Sequence, residues 1–97
     1  MRDTIAQAMK QALKDKNQPA LGTIRLIAAA LKDRDIAALS HDKADGITDD
    51  EILAMLQTMI KQRHDSVSLY KKGGRDDLVA SEKAEISIIQ QFLPEPL

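Results

Sequence analysis

Apolar residues recur at three- and four-residue spacing along almost the whole chain and nowhere alternate with period two. That pattern predicts an all-α, four-helix bundle-like domain with short connections. The first run, about residues 2–16, places Ile5, Met9, Ala12 and Leu13 on one face. Lys14 and Lys16 favour a helix C-terminus electrostatically, and Asn17 followed by Pro19 ends the run. The second, about residues 19–39, opens on a proline that a first helical turn tolerates, and sets Leu21, Ile24, Ile27, Ala28 and Leu31 in a broad stripe. It reads as the most buried helix, and Gly22, Ala28, Ala29 and Ala30 keep its surface thin enough for a neighbouring helix to approach closely.

After the flexible stretch at 40–47, Thr48 is an N-cap, Glu51 its capping-box partner, and Ile47 with Ile52 a hydrophobic staple. The third helix is expected over 49–72, with Ile52, Leu56, Met59, Ile60, Arg63, Val67 and Tyr70 on its core side. Gly73 and Gly74 supply a left-handed C-cap and a turn. The fourth, about 76–93, starts where Asp76 can cap it, and Leu78, Glu82, Ile86, Ile89 and Leu93 share a face. Pro94 and Pro96 then stop the helix, and such an extended Pro-x-Pro segment suits an interdomain connection.

Composition narrows the function classes. Ninety-seven residues fit one domain, and the only aromatics are Tyr70 and Phe92. Cysteine is absent, which excludes disulfides, thiolate catalysis and cysteine-ligated metals. The longest apolar run, LIAAAL at 26–31, is far too short to span a bilayer, and the N-terminal stretch has acids where a secretory signal has an apolar region. The expectation is a soluble, cytoplasmic protein with no membrane partner.

Fourteen basic residues face fifteen acidic ones, so no global field draws the chain to a polyanion. Charge is nonetheless segregated. Lys61, Arg63, Lys71, Lys72 and Arg75 stand against Asp65 alone over 61–75, whereas 42–51 carries Asp42, Asp45, Asp49, Asp50 and Glu51 against Lys43.

Catalytic raw material is thin. His64 and Ser68 share a helix face, but Asp65 lies about 100° round the helix and is unable to orient the imidazole as a triad requires. No His-x-x-x-His or Glu-x-x-His spacing exists, the acidic loop lacks the order of a calcium-binding EF-hand, and Gly73-Gly74-Arg75 follows a helix and lacks the spacing of a phosphate loop. The sequence therefore predicts no catalytic residue, no metal, no cofactor and no small-molecule substrate. Arg25, Arg63, Glu82 and Glu85 occupy positions where the apolar stripes call for hydrophobes, which makes them candidates for structural ion pairs that fix helix register. The functional alternative is a surface in which Lys61, Arg63, Lys71, Lys72 and Arg75 contact phosphates of a nucleic acid. With few aromatics to stack bases, such contacts would position a partner rather than read its sequence.

The run from Ile60 to Leu97 resembles the signature region of the GatB/YqeY family: Lys61, Arg63, Asp65 and Ser66, then Gly74, Arg75, Asp77 and Leu78, then Glu82 and Glu85, ending in Leu93, Pro94 and Leu97. Upstream, TIRLIAAALKDRDIA from Thr23 to Ala37 is similar to the family's second-helix pattern, so the likeness covers nearly the entire chain. The resemblance implies an N-terminal four-helix domain. It also implies a C-terminal tail domain, similar to the tail of one component of the glutamine-dependent tRNA amidotransferase, which is missing from these 97 residues; FLPEPL would be the junction.

The same resemblance implies an association with carbon–nitrogen ligation that uses glutamine as amide donor. Amide hydrolysis needs a nucleophile and a base, and phosphate activation needs a metal and nucleotide site; the sequence offers neither set. The expected function is a non-catalytic accessory domain that docks on tRNA or aminoacyl-tRNA machinery. The alternative is a protein-interaction or self-association module with no nucleic-acid role.

Overall fold

The computed structural model describes residues 1–94, so the expectations for Pro96 and Leu97 lie outside the described residues. Four helices follow one another: α1 (Arg2–Lys14), α2 (Gln18–Leu39), α3 (Asp49–Lys72) and α4 (Asp76–Gln90). The domain is all-α and bundle-like, and its seams are unequal. The α3–α4 seam is the most extensive, α2 lies against α4, and the backbone of α1 approaches α2 alone. A radius of gyration of 14.5 Å, against about 12.5 Å for a compact chain of this length, reflects that open arrangement.

Each boundary has a local cause. The Asn17 side chain accepts from the Ala20 amide at 3.2 Å, so the residue that ends α1 also caps α2. The α3 start is a full capping box: the Glu51 amide donates to Thr48 Oγ1, and the Thr48 amide donates to Glu51 Oε1, both at 3.2 Å. These bonds to Thr48, the backbone one foremost, hold the Glu51 carboxyl below its usual range. Ile47 and Ile52 are both buried around it.

Three helix C-termini close by one device, in which an amide is donated to the carbonyl five residues back: Asn17 to Ala12 at 3.0 Å, Lys43 to Ala38 at 3.0 Å and Arg75 to Tyr70 at 2.9 Å. In each a left-handed residue makes the reversal, namely Lys16 at φ 53°, Asp42 at φ 61° and Gly74 at φ 69°. Glycine serves that role without strain and the other two residues do not.

Several boundaries and faces depart from the sequence reading. α1 ends at Lys14 and not Lys16, because Lys16 is the left-handed residue of its closure. α4 ends at Gln90, three residues before the expected end, and tight turns follow, with the Phe92 amide donating to the Ile89 carbonyl at 3.0 Å. Those turns fold Phe92 into the core beside Val79, Ile86 and Ile89, while Leu78 and Leu93 are half-buried. The N-cap of α4 is Arg75 with no side-chain cap, and Asp76 is already helical. Met55 is fully buried on α3, whereas Leu13 points outward at the edge of α1.

A polar tie joins the α1 start, the C-terminal part of α2 and the loop before α3. Arg2 pairs with Asp35 and also donates from Nη2 to the Ile47 carbonyl at 2.8 Å, while the Ile47 amide donates to Asp35 Oδ1 at 3.0 Å. Gly46, at φ 83°, lies directly against this network; a β-carbon there would collide with the Asp35 carboxylate and lie 2.8 Å from Arg2 Nη2.

Candidate functional site

The basic residues singled out in the sequence fall on α3 and the turn after it. Lys71 and Lys72 occupy the last turn of α3, where their charge complements the unsatisfied carbonyl end of the helix. Lys61, Lys71 and Lys72 are exposed and, among the described residues, pair with no carboxylate. Arg75 is exposed on the turn and reaches Asp77 through two bonds of 3.4 Å, a contact of the open surface that contributes little. The α3 axis, about 36 Å long at 1.5 Å per residue, thus runs from the acidic cluster Asp49, Asp50 and Glu51 to a basic end.

Arg63 leaves the exposed set. Its guanidinium turns inward, donating from Nη1 to the Met59 carbonyl at 3.1 Å, with Nε 3.4 Å from Glu85 Oε2 across the α3–α4 seam. That Nε is buried and donates no well-directed hydrogen bond, so the contact with Glu85 is Coulombic in character. A half-buried arginine committed to its own domain is not available to a phosphate.

Glu82, one turn before Glu85 on α4, completes the cluster. Burial pushes its carboxyl above the usual range, the neighbouring Glu85 charge adds to that, and Arg63 opposes both. The guanidinium thus meets Glu85 directly and acts on Glu82 only at a distance. Arg25, the fourth residue expected to pair, is exposed and forms no ion pair among the described residues, because its position on α2 lies on the solvent side of the stripe edge.

His64 and Ser68 are both exposed on α3. Among the described residues no group of three or more His, Asp and Glu side chains could hold a metal ion, and no helix is long and apolar enough to cross a membrane.

Sequence reasoning missed a second group of basic residue types. Arg34, His41 and Lys43 line a cleft of about 620 Å³ between the end of α2 and the start of α3, together with Glu51. Glu51 meets Lys43 at 3.4 Å and partly neutralises it. The seven-residue spacing of Arg34 and His41 was the available signal, and the cleft that joins them to Lys43 exists only once the loop is folded. The Arg2–Asp35 pair was invisible for the same reason, its partners being 33 residues apart.

With that geometry in place, comparison with known proteins is informative. Residues 2–97 match the family described as Yqey-like protein. Among curated proteins, the chain is similar to "Altered inheritance of mitochondria protein 41, mitochondrial" of Pyrenophora tritici-repentis, 32% identical over 90% of this chain and 45% of the relative. The protein of the same name from Vanderwaltozyma polyspora is 34% identical over 88% of this chain and 44% of the relative. That from Saccharomyces cerevisiae is 32% identical over 90% and 45%. The chain thus spans less than half the length of the curated relatives it matches.

Proposed function

Since the chain belongs to the Yqey-like protein family, we propose that it is a non-catalytic accessory domain that docks on tRNA or aminoacyl-tRNA through phosphate contacts. Lys61, Lys71, Lys72 and Arg75 supply those contacts. Arg63 is a positioning residue that holds α3 against α4, and the family's link to glutamine-dependent carbon–nitrogen ligation enters as the setting in which docking is useful, with no chemical step assigned to this chain. The reading rests on one observation: three lysines at and above the basic end of α3 are solvent-facing and unpaired among the described residues, with a weakly held arginine beside them. Such charges release counterions when they meet a polyphosphate, and they recognise backbone rather than bases.

The test is a titration of labelled bulk tRNA at low and near-physiological salt. Binding is expected to weaken steeply with salt, and Lys71→Ala or Lys72→Ala to lower the salt slope by about one each with the fold intact. Binding indifferent to salt, or none at low salt, would sink the proposal.

A second reading, a protein-interaction module, is favoured by the exposed Leu26, Ile36 and Leu39 on α2. Two compartments suit the chain. The relatives carry "mitochondrial" in their names, and a cysteine-free chain without a spanning helix among its described residues is chemically compatible with the cytoplasm expected from the sequence or with a mitochondrial interior. Fractionation of cells expressing a tagged form decides between them.

A further inference from the structure

Arg34, Ala37, Ala38 and His41 follow one another at helical spacing and form one stripe that runs off the C-terminal end of α2. The two small members of the stripe leave a hollow between the two long basic ones. Lys43, Ile47 and Glu51 complete the walls of that hollow, the cleft of about 620 Å³. A cavity of this size accommodates a small organic molecule, and the buried Ala38 and Ile47 give it an apolar floor.

The basic side chains are held in place and little used by the fold. The His41 and Lys43 amides both donate to the Ala38 carbonyl at 3.0 Å, so the loop carries the two residues back onto the end of α2. Arg34 is exposed and joins no ion pair among the described residues. Lys43 reaches Glu51 Oε1 at 3.4 Å, but that oxygen already accepts from the Thr48 amide and hydroxyl at 3.2 Å each. A long bond to an occupied acceptor leaves most of the ammonium's donors free.

The loop also sorts its charges. Asp45 lines a separate groove on another face of α2, with Asp35 and Lys32, and in the cleft Arg34 and Lys43 are opposed by Glu51 alone, with the His41 imidazole beside them. The cleft is therefore positive in a chain of nearly balanced charge. In such a field a dianion gains about twice what a monoanion gains. A phosphate group also presents enough oxygens to meet the planar fork of an arginine and an ammonium together, whereas a single carboxylate is what Glu51 already offers there.

We propose that this cleft binds a small phosphomonoester, with its phosphate between Arg34 and Lys43, His41 alongside, and its organic part on Ala38 and Ile47. Glu51 limits the affinity by opposing Lys43. The cleft uses none of Lys61, Lys71, Lys72 and Arg75, so this site and the tRNA proposal stand or fall separately.

Titration of the ¹⁵N-labelled protein at constant ionic strength with phenyl phosphate, inorganic phosphate and benzoate, followed by amide chemical shifts, tests it. A saturable response is expected, centred on Ala37, Ala38, His41, Lys43 and Ile47, with phenyl phosphate bound several-fold more tightly than inorganic phosphate and about tenfold more tightly than benzoate. Arg34→Ala and Lys43→Ala, both exposed and checked for retained helicity, are each expected to weaken phenyl phosphate about tenfold. Glu51→Gln keeps a capping-box residue while removing the opposing charge, and is expected to strengthen binding several-fold, a gain that damage to the fold does not produce. Shifts centred on Lys61, Lys71 and Lys72, an affinity unmoved by Arg34→Ala, or weaker binding in Glu51→Gln overturns the proposal; benzoate bound as tightly as phenyl phosphate overturns the choice of phosphate.

Discussion

Arg2 and Asp35, 33 residues apart, form an ion pair that also satisfies both backbone groups of Ile47. The pair therefore does more than join α1 to α2. It fixes the residue from which α3 is launched, and it leaves Gly46 no space for a side chain.

Gly46→Ala is accordingly expected to be among the most damaging small substitutions in the chain. Its φ of 83° strains any L-residue, and the added carbon displaces Asp35 or Arg2. Strain and overcrowding of this kind each cost about 1–3 kcal/mol. Urea unfolding should show a midpoint well below wild type; an unchanged midpoint would mean the loop rearranges freely.

The pH dependence of stability has two components of opposite sign. Asp35 is held below the ordinary range by its bond from Arg2 and then by the Ile47 amide. Its contribution is present above about pH 4, the ordinary aspartate value, and is lost as pH falls through the lower folded value. Glu82 is raised, so the folded state holds its proton more tightly than the unfolded chain, and stability declines as pH rises from about 4.5 through the raised folded value. Thermal melts of Asp35→Asn should converge on wild type at low pH, whereas Glu82→Gln should gain on wild type as pH rises through that window.

Removing Arg63 leaves Glu82 and Glu85, one turn apart on α4, side by side at a partly buried seam with no cation opposite. Arg63→Ala is expected to cost about 2–3 kcal/mol, below the 3–5 kcal/mol of a fully buried pair because both partners retain some solvent. The double change Arg63→Met with Glu85→Leu should recover most of that loss by apolar packing. If the single change is silent in chemical denaturation, the cluster is not holding the seam.

Two surface positions offer stabilisation. Lys16 occupies a left-handed conformation at φ 53°, and Lys16→Gly is expected to gain about 1 kcal/mol. Gly22 sits within α2 with open space at its β-position, and Gly22→Ala should gain about 0.5–1 kcal/mol. Thermal melts would reveal both as raised midpoints, and a lowered midpoint for either would contradict the local geometry.

What the sequence made legible was local chemistry. The Thr48–Glu51 box, the Ile47–Ile52 staple, and the α3 boundaries followed from residues within a few positions of one another, where spacing determines geometry. On α4 the reading found Ile86 and Ile89 and missed the two ends, where Val79 and Phe92 are buried in place of Leu78 and Leu93; nothing in the sequence announced that the helix would end at Gln90 and turn Phe92 inward. Arg25 and Arg63 looked equivalent, two charges on apolar stripes. Only the placement of α4 separates them, giving Arg63 a carboxylate at 3.4 Å and leaving Arg25 in solvent. The basic end of α3 was visible as a run of charges, but which of its members faces outward is a property of the α3–α4 seam.

Because the backbone of α1 approaches α2 alone while α3 and α4 share the broadest seam, the chain is expected to open in parts rather than as one uniform cooperative body. Its most durable unit is the C-terminal hairpin, built from near neighbours in sequence and therefore quick to assemble. α1 is the outermost leaf, tethered at its first turn by Arg2. Amide hydrogen exchange should register that hierarchy, with α1 opening by local unfolding well before the α3–α4 amides are released. Uniform protection across all four helices would show instead that the Arg2–Asp35 tether binds the leaf to the rest as tightly as a core would.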